Sequence, residues 1–139
     1  MIAKNFYEKY IELFEYYDYN FDRYNTSFSI AIIKFDDKIN IDKVDLETLK
    51  RCSDKCLKMD KQSYFFIFLG TDTKKSYQAL LNLEKNLIVK YNLYNIEHIF
   101  CGAVIGKKRN RNIEEMIRVC IELINECTTQ QNIITEDDL

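Results

Sequence analysis

The sequence predicts an α/β domain: a central mixed β-sheet flanked by helices, behind an N-terminal amphipathic helix. Three observations lead there. Helix-period stripes alternate along the chain with compact β-branched and aromatic runs, the pattern of helices covering a sheet. With no proline and only three glycines, the chain lacks the turn-formers that a many-stranded sandwich or barrel uses at its tight corners. Its 139 residues, 47% of them hydrophobic, suffice for one core and offer enough apolar surface to offset ordering entropy. A single unit over residues 1–139 is therefore expected, with no repeat and no linker.

The elements follow in order. A first helical block is expected over residues 1–22, clearest from Asn5 to Tyr19, where Phe6, Tyr10, Leu13, Phe14 and Tyr17 recur at three- and four-residue steps. Phe28–Phe35 (FSIAIIKF), closed by Asp36 and Asp37, reads as a strand buried on both faces. A second helix is expected from Val44 to Met59, with Leu46, Leu49, Cys52, Cys56 and Leu57 on its apolar face and Asp42 or Asp45 near its start. Ser63–Leu69 (SYFFIFL) is the next buried strand, ended by Gly70. Thr71 or Asp72 then caps a helix whose stripe includes Tyr77, Leu80, Leu81, Leu83, Leu87 and Ile88 and which ends near Tyr91. Ile96–Ile105 reads as a third strand, Ile113–Cys127 as the last helix and Asn132–Ile134 as a short closing strand, with an acidic tail at 135–139 expected to fray.

Charge and cysteine usage narrow the function classes. Twenty Lys and Arg against 22 Asp and Glu leave a net charge of -2, so no global basic field draws the chain to nucleic acid or to a lipid surface. No apolar run approaches the roughly 20 residues of a membrane span, and the N-terminus lacks a secretion signal. The five cysteines, an odd number, read as reduced thiols and point to the cytoplasm. Cys52 and Cys56 stand four apart, but the single histidine, His98, lies far along the chain and no CxxC pair exists, so no metal site is expected.

Several strings, in this order, resemble the GGDEF domain, the family of diguanylate cyclases that make cyclic di-GMP from two GTP molecules. Arg23-Tyr24-Asn25 leading into Phe28–Asp36 is similar to the family's Arg-Tyr turn and first strand ending in Asp-x-Asp. Ser63–Asp72 resembles the strand that begins within the signature and runs on to a Thr-Asp helix start. Ile99–Val104 (IFCGAV) is similar to the Ser-x-Gly strand, Asn112–Cys127 to the last helix, and Gln131–Ile134 to the closing Asn-x-Val strand. The resemblance covers most of the chain. It implies a nucleotidyl-cyclase-like, ferredoxin-like palm and a bacterial signalling role.

The departures decide what the resemblance implies about activity. In active members the first Asp of Asp-x-Asp and an acidic residue of the signature hold two Mg²⁺ ions, because phosphoryl transfer needs cations bridging the triphosphate. Here Lys34 stands at that first Asp position and Asp36 at the second, while Lys61-Gln62-Ser63-Tyr64-Phe65 aligns with Gly-Gly-Asp-Glu-Phe. The resemblance therefore implies a degenerate domain with no catalytic residue and no resident cofactor. Its vestigial metal and nucleotide site would be Asp36, Asp37, Lys34, Ser63 and Tyr64. Arg51 and Asp54 match the spacing of the family's Arg-x-x-Asp cyclic-dinucleotide site. A response-regulator receiver also ends its first strand in an acidic pair, but its phosphoacceptor Asp and its Lys have no counterparts here.

Two further groups carry readings beside bland alternatives. Lys107, Lys108, Arg109 and Arg111 form a cationic loop, either a phosphate contact or a solvated turn. Phe6, Tyr7, Tyr10, Phe14 and Tyr17 form either an interaction helix or the inner face of one that packs on its own sheet. The expected function is a regulatory protein-interaction module, through a protein partner or a homodimer. The alternative is a nucleotide receptor or divergent cyclase, for GTP with Mg²⁺ or for a cyclic dinucleotide.

Overall fold

β1 (Phe28–Phe35) occupies the centre of the sheet because nearly every residue in its run is apolar, so both faces seek cover. The computed structural model describes residues 2–128 and 130–136. Five strands lie in the order β2 (Lys55–Lys58), β3 (Ser63–Leu69), β1, β4 (Phe100–Gly106) and β5 (Ile133–Thr135). All neighbours are antiparallel except β4 and β5, which makes the sheet mixed.

The two-residue period of the strands divides the core into two layers. Ile30, Ile32, Phe65, Ile67, Ala103 and Ile105 face one side, and Ala31, Ile33, Phe35, Phe66, Phe68 and Val104 the other. α1 (Ile2–Lys9), α2 (Ile11–Tyr24) and α5 (Ile113–Ile124) cover the first layer; α3 (Leu46–Lys50) and α4 (Thr73–Tyr91) cover the second. Asp72 caps α4 by accepting the Lys75 N–H, and Asn112 caps α5 by accepting the Glu115 N–H. α2 and α4 end in left-handed asparagines, Asn25 and Asn92, at φ 54° and 56°, which do the work that glycine does in most chains.

Four sequence expectations need correction. The first helical block is two helices, interrupted at Tyr10 with φ -120° and ψ 31°. A straight helix would set Phe6 and Phe14 about 12 Å apart along its axis. The break instead brings their rings to 5.7 Å, each 5.3 Å from Phe65. The helix expected from Val44 to Met59 survives only as α3, and Cys56 and Leu57 lie in the edge strand β2. Asp54 enforces that change: its N–H donates to the Ile67 carbonyl and its carboxylate accepts the Leu69 N–H, so the chain pairs with an otherwise open edge of β3.

The third strand starts at Phe100 rather than Ile96. Of the tail, Thr135 closes β5 and the Glu136 carboxylate lies 2.6 Å from Arg111, whereas 137–139 lie outside the described residues. Among the described residues no helix is long and apolar enough to cross a membrane.

Candidate functional site

Lys34 is the single exposed residue of β1, and it projects where the strand leaves the sheet. It stands opposite Ser63 on β3 and Cys101 on β4. The hairpin between β2 and β3 closes beside it, with the Met59 N–H donating to the Ser63 carbonyl and Asp60 accepting the Gln62 N–H. One residue past β1, the Asp36 N–H donates to the Ile99 carbonyl, and its Oδ1 accepts the Lys38 N–H at 2.9 Å in an Asx turn. Local chain geometry thus already engages two of the three carboxylates at this end, those of Asp36 and Asp60.

Two adjoining cavities open here between the strand ends and the end of α5. The smaller, about 110 Å³, is bordered by Ile32, Lys34, Met59, Asp60, Ser63 and α5. The larger, about 300 Å³, is bordered by Lys34, Asp36, Asp37, His98 and Cys101. Lys34, Ile124 and Asn125 belong to both. Of the expected vestigial site, the fold brings Lys34, Asp36, Asp37 and Ser63 to one end of the sheet. Tyr64 departs: its ring turns to the opposite layer and packs 6.1 Å from Phe35, and burial raises its phenol pKa.

The donor set at this end does not fit a two-metal phosphoryl-transfer centre. Such a centre needs carboxylates that converge on its cations, whereas here Lys34 and Ser63, an ammonium and a hydroxyl, stand opposite one another. Among the described residues no group of three or more His, Cys, Asp or Glu is placed to hold a metal ion.

The other candidate groups are dispersed. Arg51 borders a groove between α3 and α4 with Thr48, Asn82, Asn86 and Lys90, while Asp54 is outside that groove and bonded to β3. The cationic loop lies at the far end of β4, away from Asp36. Lys107 Nζ is 2.7 Å from Asp18 Oδ1 on α2, with both side chains largely shielded, and it also donates to the Arg111 carbonyl. Arg111 is paired with Glu136, so two of the loop's four cations are committed inside the protein and Lys108 and Arg109 are exposed. Phe6, Phe14 and Tyr17 are buried, and Tyr7 and Tyr10 half-buried, all packed into the α1–α2–α5 layer. The five aromatics are core, and the outward face of α2 carries Tyr16 and Tyr19 instead.

One polar cluster escapes sequence reasoning. Glu84, inside the apolar stripe of α4, is buried and accepts the Ile99 N–H and both contacts of the Asn132 amide. Asn132 also donates to the Phe100 carbonyl, and His98 Nδ1 lies 3.6 Å from Glu84 Oε2. The cluster joins α4, β4 and the approach to β5 and sets His98 at the rim of the larger cavity. An acid within the run Leu80–Leu87 was the available signal.

No family model matches the sequence, and no curated protein matches it. Among solved structures the chain is similar to one described as the crystal structure of a DGC protein from Thermotoga maritima. The TM-score is 0.55 at 13% identity, over 86% of this chain and 91% of that one. The likeness is one of fold: a mixed five-stranded sheet flanked by helices.

Proposed function

We propose that the chain is a degenerate GGDEF-like domain without cyclase activity, acting in bacterial signalling as a regulatory module that binds protein. The observation that carries this reading is the cross-strand pair Lys34 and Ser63. A DGC-like fold needs carboxylates at this end to hold the cations of a triphosphate, and removing such ligands removes most of the rate of phosphoryl transfer. A lysine there balances charge without a metal, while the fold beneath it keeps its full core. The half-buried and buried free thiols fit a reducing compartment, so we assign the protein to the cytoplasm.

A thermal-shift scan with GTP, ATP, cyclic di-GMP and cyclic di-AMP, each with and without Mg²⁺, tests the reading. A ligand that binds only the folded state raises the melting temperature by mass action. No shift is expected. A Mg²⁺-dependent rise with one nucleotide, lost on Asp36→Asn, overturns the reading in favour of a nucleotide receptor.

A further inference from the structure

α2 carries two stripes, and only one is used within the chain. Phe14, Tyr17 and Phe21 point into the core. On the opposite side Glu12, Tyr16, Tyr19 and Arg23 recur at steps of four, three and four, which places them in one line along the helix. All four are exposed, Tyr16 at 62% and Tyr19 at 53%. Among the described residues neither Glu12 nor Arg23 forms an ion pair within the chain.

The end of the line is already ordered. The Arg23 guanidinium sits 5.8 Å from the Tyr19 ring and 5.9 Å from that of Tyr24, and the two tyrosine rings meet edge-on at 6.4 Å. Tyrosine and arginine are the residues enriched where binding energy concentrates, and a pre-packed set loses less side-chain entropy on docking.

We infer that this stripe binds a second copy of the same chain, its α2 running antiparallel about a two-fold axis midway between Tyr16 and Tyr19. The charge order selects that occupant. In the antiparallel pair Glu12 of each copy meets Arg23 of the other, and Tyr16 of each meets Tyr19 of the other, so the surface is complementary to itself. A parallel pair would set Glu12 on Glu12 and Arg23 on Arg23, like charges that oppose association. Glu15 and Asp22, exposed along one flank, repel their counterparts and hold the affinity down. A contact confined to one helix per copy also falls below the roughly 1,200 Å² of stable interfaces, so the dimer is weak and concentration-dependent.

This inference rests on the protein-binding reading above and deepens it by naming the partner. Sedimentation equilibrium of the full chain from micromolar to near-millimolar concentration tests it. The wild type is expected to show a concentration-dependent dimer. Glu12→Arg and Arg23→Glu should each raise the dimer dissociation constant at least tenfold. An equimolar mixture of the two variants should associate as a heterodimer, because each supplies the charges the other lacks. The double exchange E12R/R23E should restore self-association. Wild type that stays monomeric, single variants that dimerise like wild type, or a mixture that stays monomeric each overturn it. Those results leave binding to a different protein standing, whereas a Mg²⁺-nucleotide response overturns that broader reading and leaves the sedimentation result intact.

Discussion

Lys34 and Ser63 face each other across the β1–β3 ladder, with Asp36 two residues further along the same chain. The pair gives this end of the sheet a cation of its own, bordering the same cavity as Asp36 and Asp37. Lys34→Asp together with Ser63→Asp would place carboxylates near Asp36. The double variant is expected to melt lower than wild type without metal, because Ser63 is buried and an ionised group there is desolvated. Mn²⁺ or Mg²⁺ should then raise its melting temperature and bind by titration calorimetry, with neither effect in the wild type. A variant that stays folded and takes up no metal would contradict the placement of this corner.

The Asp18–Lys107 pair ties α2 to the turn before α5, and Asp18 also accepts the Ile113 N–H at the start of that helix. Lys107→Met leaves a shielded carboxylate without its cation and is expected to cost about 3–5 kcal/mol in denaturant unfolding. Asp18→Asn added to it removes the stranded charge while keeping an acceptor for Ile113, and should recover most of the loss.

Phe14 is fully buried, between the rings of Phe6, Tyr7, Tyr10 and Phe65. Phe14→Ala is expected to cost about 3–5 kcal/mol. Tyr16→Ala, two residues on and so on the exposed side, should change monomer stability by less than about 0.5 kcal/mol. Equal losses at the two positions would show that the helix docks by another face.

The ion pair with Arg111 holds the Glu136 carboxyl below its ordinary value of 4.5. A carboxylate with a lowered folded-state pKa stabilises fully above its unfolded value, and that share is lost as pH falls through the folded value. The group is partly exposed, so its share is under about 1 kcal/mol. Glu136→Gln should therefore melt slightly below wild type at neutral pH, with the difference closing below pH 4.5. A difference that widens in acid would contradict the pairing.

Burial pushes the thiols of Cys52, Cys56 and Cys127 up, to about 11, about 12 and about 12 respectively, and raises that of fully buried Cys120 as well. The thiolate is the reactive form, so these four should alkylate slowly at neutral pH in the native state and rapidly once denatured. Mass spectrometry after timed iodoacetamide treatment reads this directly.

The parts of the fold legible in the sequence are those whose structure is set locally. Phe28–Phe35 and Ser63–Leu69 are apolar at nearly every position, and Asp72 and Asn112 announce their helices by side chains that bond within one turn. β2 was not legible, because Lys-Cys-Leu-Lys is short and half-exposed and its pairing depends on Asp54 reaching β3. The break at Tyr10 likewise answers to Phe65, some fifty residues away in the chain. At the candidate site, the grouping of Lys34 with Ser63 comes from the resemblance alone, and their facing comes from the antiparallel register of β1 and β3. The Glu84 cluster did not emerge, since a carboxylate at a helix position reads as solvent-facing until Asn132 and the Ile99 N–H are seen to converge on it.

The most direct test of the central claim is incubation of the purified protein with GTP and Mg²⁺, followed by chromatographic analysis of the nucleotides. GTP should be recovered intact, with no cyclic dinucleotide formed above a protein-free blank. Cyclic di-GMP that accumulates with protein concentration and disappears in Asp36→Asn would contradict it.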